Sequence, residues 1–210
     1  MNSAFQHYRE LRSYLVQREW DVFGTLKFHT AGLISGYQAR RLLRSYWNQL
    51  DRVVYGKAAT VGCRIQRWCF AHGGSHNDNF HVHFVARSAF EPEEFCALGN
   101  TVWAKHNSAT AVIRQNWITP IHYPERVAGY IAREIWRTGT DSFDTELTAD
   151  TGVTYQLTAE RAAARQERIA RAMTANERQA AQDALIKHKA GTLLRLALRD
   201  RKPSGQATGR

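Results

Sequence analysis

Apolar residues recur every three to four positions in several stretches of the chain, which is the period of an amphipathic helix. Helices are expected over residues 4–18, 37–54, 92–105 and 124–137. Local signals mark their ends: Ser35 can cap the second helix, Pro92 and Pro124 suit first helical turns, and Gly139 can end the last one.

β-Branched and aromatic residues dominate four other stretches, which predicts strands there. These stretches are 20–29, 61–72, 80–87 and 109–118. The run GGSHNDN lies between the second and third, so these two should form a hairpin with a long loop. The resulting order predicts an α+β fold: a ferredoxin-like antiparallel sheet (β-α-β-β-α-β) with one face covered by helices, followed by one more helix.

The composition changes beyond about residue 140. A polar connector, DSFDTELTADTG, is followed from Thr158 by an Ala- and Arg-rich sequence of strong helix formers. The run Thr174-Ala-Asn-Glu177 fits a capping box, so two helices should meet there. We therefore expect one domain over 1–140 and a basic, largely helical extension over 141–210 with a disordered end.

The charge of the chain narrows the class of partner. Lys and Arg number 29 against 19 Asp and Glu, a net charge of +10, which favours a polyanion: nucleic acid first, anionic membrane second. No stretch approaches the roughly 20 apolar residues of a membrane span, and the N-terminus lacks a signal-peptide core. Three cysteines without framework spacing suit a reducing compartment, so a cytoplasmic location, in a bacterial or phage-infected cell, is expected.

Two histidines, His81 and His83, alternate with Val82 on a predicted strand and therefore share one face. Such a pair either binds one divalent cation or consists of ordinary hydrogen-bonded strand residues. If the hairpin pairs residue 72 with residue 81, His72 joins them on the same face as a third ligand. Gln66 and His76 are the alternative third ligands.

Tyr130 lies on the predicted helix that starts at Pro124. Val127, Ile131 and Ile135 should form the buried stripe of this helix. A second, polar face then carries Tyr130, Arg133, Glu134 and Arg137. The alternative to a functional role is that Tyr130 is an ordinary amphipathic residue at the edge of the core.

Three short runs resemble, in order, the motifs of the HUH endonucleases, in particular initiators of rolling-circle replication of plasmids, phages and small single-stranded DNA elements. They are GTLKF at 24–28, FHVHF at 80–84 and GYIAREI at 129–135, and the resemblance spans about residues 20–137. It implies that Tyr130 is the nucleophile and that His81 and His83 bind a metal, Mn²⁺ or Mg²⁺. Histidine ligands suit Mn²⁺ better, because Mg²⁺ prefers oxygen.

The chain departs from this family at two places. The family usually has Lys three or four residues after the tyrosine, where this chain has Arg133. Arginine keeps the charge and can hold a phosphate, but it cannot act as a general acid at neutral pH. The third metal ligand is usually acidic or Gln, whereas His72 is the best candidate here.

The implied activity is metal-dependent nicking and joining of single-stranded DNA through a covalent 5′-phosphotyrosine. The implied partners are single-stranded DNA or an origin hairpin, together with a host helicase and polymerase, since the chain carries no nucleotide-binding GxxxxGK[ST] run. Basic residues expected to contact phosphates are Lys27, Arg40, Arg41, Arg44, Arg64, Arg67 and Arg137. Trp68, Trp117 and Trp136 could stack on bases.

Three other functions are compatible with the sequence. A single-strand transposase of the same superfamily would use the same chemistry. A relaxase usually has its nucleophile before the histidines, where Tyr8 and Tyr14 are the candidates. A non-catalytic nucleic-acid-binding protein on a ferredoxin-like sheet is the alternative from another class, and it would not cleave an oligonucleotide.

Overall fold

A computed structural model describes residues 3–28, 35–72, 80–106, 117–139, 142–150 and 155–200. Within these residues the elements are α1 (Ser3–Gln17), β1 (Val22–Lys27), α2 (Gly36–Tyr55), a 3₁₀ helix (Gly56–Val61), β2 (Arg67–His72), β3 (His81–Ala86), α3 (Pro92–His106), β4 (Trp117–Pro120), α4 (Pro124–Thr138), α5 (Ala159–Ala172) and α6 (Ala175–Asp200). No described helix combines the length and apolar character that a membrane crossing needs.

The four strands form one antiparallel sheet in the order β2-β3-β1-β4. The predicted α+β class with an antiparallel sheet is therefore confirmed. Because side chains alternate along a strand, Leu26, Val82 and Phe84 point to one face of the sheet, whereas His81 and His83 point to the other.

The first face of the sheet packs against α2 and α3 and forms the larger core. The expected cap of α2 is present, since Ser35 and Gln38 form a reciprocal capping box. Gly24 of β1 is required at this face: a Cβ there would lie 2.1 Å from the ring of Phe84. That ring in turn packs edge-on against Trp47 of α2, with centroids 4.9 Å apart.

The second face of the sheet is also covered, by α1 and α4. Leu15 of α1 and Ile131 of α4 are buried in a second core with Phe70 and Val85 of the sheet. The expectation of a single covered face is therefore wrong, because α1 supplies a second apolar stripe that pairs with the stripe of α4.

The chain after residue 140 packs onto the body of the protein. Residues 143 and 149 form isolated bridges to β2, and α5 and α6 pack beside α2 and α3. Ile169, Met173 and Leu185 are buried in the larger core. The capping box at Thr174 and Glu177 is present at the start of α6, as predicted.

The second strand is shorter than the pattern indicates. Residues 56–61 form a 3₁₀ helix that ends at Gly62, whose φ is 101°, a left-handed conformation suited to glycine. Ile65 N–H then donates to the carboxylate of Asp51 at 2.8 Å. Pairing therefore begins only at residue 67. The predicted strand segment 109–116 and the predicted disordered end at 202–210 lie outside the described residues.

Candidate active site

Three histidines meet on the second face of the sheet. His72 is the cross-strand partner of His81, which confirms the predicted register, and His83 lies two residues further along the same strand. The ring centroids are 5.3 Å apart for His72 and His81, 5.1 Å for His72 and His83, and 4.8 Å for His81 and His83. The hairpin therefore brings residues from two strands into one imidazole cluster.

Burial keeps His83 neutral. It is only 5% exposed, as is His72, whereas His81 lies at the rim. Burial, followed by the charges of His81, His72 and Lys27, lowers the pKa of His83 to about 2. A neutral imidazole is the form that can bind a metal ion.

The α4 helix places Tyr130 against this cluster. The buried side chain of Ile131 fixes the rotation of the helix about its axis. Tyr130, the preceding residue, then lies at the edge of the buried stripe and faces the sheet. The Tyr130 hydroxyl lies 2.9 Å from Nε2 of His83, and the hydroxyl of Thr25 lies 2.8 Å from Nδ1 of the same ring. Phe23 packs edge-on against Tyr130, with centroids 6.0 Å apart.

Two cations flank the cluster. Lys27 of β1 is the cross-strand partner of His81 and so lies on the same face. The guanidinium of Arg133 lies 5.5 Å from the centroid of the Tyr130 ring, and its side chain is exposed. Both positive charges favour the phenolate form of a nearby tyrosine and can attract a phosphate.

The donor set fits a divalent cation in chemical type and proximity, since three imidazoles from adjacent strands share one face. As the side chains stand, no group of three His, Cys, Asp or Glu in the described part of the chain surrounds a common point. Both ring nitrogens of His83 are already in hydrogen-bond contact, with Tyr130 and Thr25. Binding of a metal by His83 would therefore require either Tyr130 to release Nε2 or Thr25 to release Nδ1.

Of the two other candidates for the third ligand, Gln66 does not join the cluster. The Gln66 amide donates to Asp150 at 2.6 Å, and residue 66 precedes the paired part of the strand. His76 lies outside the described residues. His72 is thus the candidate that the described geometry brings beside His81 and His83.

Most of the predicted phosphate contacts lie elsewhere. Arg40, Arg41 and Arg44 belong to α2, which packs on the opposite face of the sheet from the histidines. Arg40 pairs with the buried carboxylate of Asp144 at 2.9 Å, and Arg44 lies 3.7 Å from Glu146. These three arginines and the histidine cluster therefore lie on opposite faces of the sheet.

Arg67 is a core residue, so its assignment to a phosphate contact is corrected. It is 5% exposed and donates to both carboxylate oxygens of Asp51, at 3.1 and 3.2 Å. Its guanidinium also lies 4.4 Å from the ring centroid of Trp47. Arg64 is half-buried against the same carboxylate, whereas the side chain of Arg137 lies outside the description.

The three tryptophans proposed for base stacking have different environments. Trp68 packs against Tyr14 and Trp20, and Trp117 stacks on His188 with centroids 4.3 Å apart. Trp136 of α4 is 59% exposed, so of the three it has the most open ring.

Two site residues escaped the sequence-based prediction, namely Thr25 and Phe23. Both lie on β1 at positions that share a face with Lys27. Thr25 lies within the GTLKF motif, and Phe23 immediately precedes it. The alternation of side chains along β1 was the available signal. This signal was not sufficient alone, because only the pairing of β1 with β3 places Thr25 opposite His83.

Cysteine chemistry is not supported at the described site. Cys63, Cys69 and Cys96 are all buried and free. Burial raises the pKa of the Cys69 thiol to about 12, and it also raises the pKa of Cys96. A thiol held in its protonated form is a poor nucleophile.

Comparison with known proteins gives no relative. No family model matches the chain, and neither a curated protein nor a solved structure matches it. Function must therefore be inferred from the residues of the site.

Proposed function

We propose that this protein is an HUH-type endonuclease that nicks and rejoins single-stranded DNA, with Tyr130 as nucleophile, and that it initiates rolling-circle replication. The observation that carries the proposal is the 2.9 Å contact between the Tyr130 hydroxyl and His83, inside a cluster of three histidines. The strand order β2-β3-β1-β4, with helices after β1 and β3, supports a ferredoxin-like sheet. The charge of +10 suits a nucleic acid substrate.

The nucleophile needs help because only about a thousandth of an ordinary tyrosine is ionised at pH 7. Arg133 and Lys27 supply permanent positive charge near the phenol, which favours the phenolate. Thr25 holds the ring of His83 in place through Nδ1. His72, His81 and His83 would hold a divalent cation, Mn²⁺ or Mg²⁺, which would supply Lewis-acid stabilisation of a scissile phosphate.

The products follow from the choice of nucleophile. Attack by the Tyr130 oxygen on phosphorus forms a tyrosine phosphodiester and breaks the bond to the 3′ oxygen, which leaves as a hydroxyl. The protein then carries the 5′ end, and the free 3′ hydroxyl can prime synthesis by a host polymerase beside a host helicase. Because the phosphotyrosine keeps the bond energy, the same hydroxyl can attack it and rejoin the strand without ATP.

The position of the other tyrosines favours this order of motifs over that of a relaxase. The ring of Tyr8 packs near Trp136, and the ring of Tyr14 stacks on Trp68. The described ring contacts of both early tyrosines are therefore with residues outside the histidine cluster. A single-strand transposase would share the chemistry and differ in its DNA substrate. A non-catalytic nucleic-acid-binding protein would bind but leave no cleaved product.

The test is to incubate the full-length protein with circular single-stranded DNA and Mn²⁺, boil it in detergent, and look for protein joined to DNA. We expect an adduct that mass spectrometry assigns to the peptide containing Tyr130. Tyr130→Phe should abolish both adduct and nick. So should the double variant His81→Ala with His83→Ala, or EDTA with the wild-type protein.

Tyr123→Phe is the matched control. Tyr123 precedes α4, is 44% exposed, and lies seven residues before Tyr130. It should retain cleavage. An adduct on Tyr123, or cleavage that persists in Tyr130→Phe, would overturn the nucleophile assignment, and binding without any cleavage by the wild-type protein would favour the non-catalytic alternative.

A further inference from the structure

A second basic surface lies across the sheet from Tyr130. Between α2 and α5 there is an open cavity of about 880 Å³, which we call the arginine groove. Five arginines line it: Arg41, Arg44, Arg52, Arg168 and Arg171. None of the described lining residues is acidic, and the remaining polar ones include Asn48 and Gln49.

We propose that the arginine groove binds the phosphate backbone of double-stranded DNA, as a site separate from the nicking centre. The location of the groove separates it from the nicking centre. The α2 helix packs on the face of the sheet that carries Phe84, whereas Tyr130 contacts His83 on the other face. A strand held at Tyr130 and a duplex held in the groove would therefore occupy opposite sides of the protein.

The charge in the groove is largely uncompensated. Arg41 and Arg52 are exposed and form no ion pair with any residue that the structure describes. Arg168 donates from Nε and Nη2 to the carbonyl oxygens of Val53 and Val54, and these neutral partners do not cancel its charge.

The remaining two arginines have weak partners. Arg44 lies 3.7 Å from Glu146, and Arg171 lies 3.2 Å from Glu167. Both pairs are solvent-exposed, and exposed ion pairs contribute only about 0–1 kcal/mol. A phosphate can therefore displace either carboxylate at little cost.

The shape of the basic surface matches a backbone. Arg41 and Arg52 are eleven residues apart on one helix, so they span about 16 Å at the helical rise of 1.5 Å per residue. Residues three or four apart between them lie on the same side of α2, and Arg168 and Arg171 face them from α5. Over about 16 Å one strand of B-DNA presents roughly five phosphates.

The composition of the groove favours duplex over single strand. Sites for single strands combine cations with aromatic rings on which bases stack. The groove has one described aromatic residue in its lining, Tyr37, and otherwise offers guanidiniums, amides and a hydroxyl. Such groups contact phosphate and sugar, which a duplex presents on its outside. By contrast, Phe23 and Trp136 accompany Tyr130 on the nicking side.

The experiment measures anisotropy of a fluorescent 20-bp duplex and of the matching single strand with the full-length protein, in EDTA, at several salt concentrations. The test variant is Arg41→Gln with Arg52→Gln. The control variant is Arg9→Gln with Lys187→Gln, which removes the same charge from two exposed positions outside the groove. Because binding is read without cleavage, the result does not depend on whether the protein nicks DNA.

We expect the test variant to lose roughly tenfold or more in duplex affinity at 0.1 M salt, and the salt slope to fall by about two, since each phosphate contact contributes about 0.9. The single strand should lose much less, and the control variant should keep the wild-type slope. Equal losses in the test and control variants, or a larger loss for the single strand than for the duplex, would overturn the proposal. So would groove-dependent binding to anionic phosphatidylserine vesicles with unchanged duplex affinity.

Discussion

The Tyr130 hydroxyl and a divalent cation should compete for the same nitrogen. Nδ1 of His83 contacts Thr25, and Nε2 lies 2.9 Å from the Tyr130 hydroxyl. We expect a cation shared with the other histidines to use Nε2. Binding of a cation must first break that hydrogen bond. Tyr130→Phe removes the hydroxyl and should therefore bind Mn²⁺ more tightly than the wild-type protein, even though it cannot form the adduct.

The size of the effect follows from the worth of one hydrogen bond. A typical intramolecular hydrogen bond contributes about 0.5–1.5 kcal/mol net. At about 1.4 kcal/mol per tenfold change, the dissociation constant for Mn²⁺ should fall roughly two- to twelvefold. The aromatic ring keeps its packing against Phe23 and His83, with centroids 6.0 and 5.1 Å away, so the substitution should not disturb the histidines themselves.

Isothermal titration of metal-free, full-length protein with Mn²⁺ measures this directly. Tyr123→Phe serves as the control, because Tyr123 is 44% exposed and lies outside the cluster. Its affinity should equal that of the wild type. Weaker Mn²⁺ binding by Tyr130→Phe would mean that the hydroxyl is itself a ligand, and an unchanged affinity would mean that the cation does not use Nε2 of His83.

Three further predictions concern the site and the fold. His72→Ala should lower Mn²⁺ affinity more than Gln66→Ala in the same titration, because only the former lies in the imidazole cluster; the reverse ranking would refute the ligand assignment. Gly24→Ala should reduce the free energy of unfolding in urea by about 1–3 kcal/mol, because its Cβ would overlap a buried ring; no loss would show that the sheet adjusts freely. Ile169→Ala should reduce the free energy of unfolding by about 2–5 kcal/mol in one cooperative transition, because this side chain is fully buried. The control Ile186→Ala should be nearly neutral, because Ile186 is 67% exposed. Two separate transitions would instead show that α5 unfolds independently.

The site could be predicted from the sequence because its geometry depends on local periods. Alternation along a strand placed His81 and His83 on one face, and the register that pairs residue 72 with residue 81 added His72. The helical period around Ile131 then left Tyr130 next to the buried stripe. What periodicity could not give was the distance between the hairpin and α4, which depends on how α4 packs on the sheet.

The position of the α2 arginines relative to the histidines could not be predicted, because a helical pattern shows which side of a helix is polar but not which face of the sheet the helix covers. For Arg67 the sequence did contain a signal. It shares its parity along β2 with Cys69, which is buried in the larger core, and not with His72. Its carboxylate partner, Asp51, lies beside Leu50 on the buried side of α2. An arginine on an apolar face should prompt a search for such a partner.

Arginines near the C-terminal end take part in packing as well as carrying charge. The Ala- and Arg-rich segment has few aromatic residues, which is typical of a solvated basic tail, yet Arg165 is 8% exposed, donates to the Ala89 carbonyl and lies over the ring of Phe90. Arg168 is similarly fixed to the end of α2. Long arginine stems thus fill positions that a leucine would otherwise occupy, while the guanidiniums satisfy backbone carbonyls. Because carbonyl oxygens leave the charge intact, Arg168 can both fasten α5 to α2 and contribute to the potential of the arginine groove. A count of basic residues in this segment therefore reflects packing as well as the proposed affinity for DNA, and substitution of an exposed member such as Arg171 separates the two.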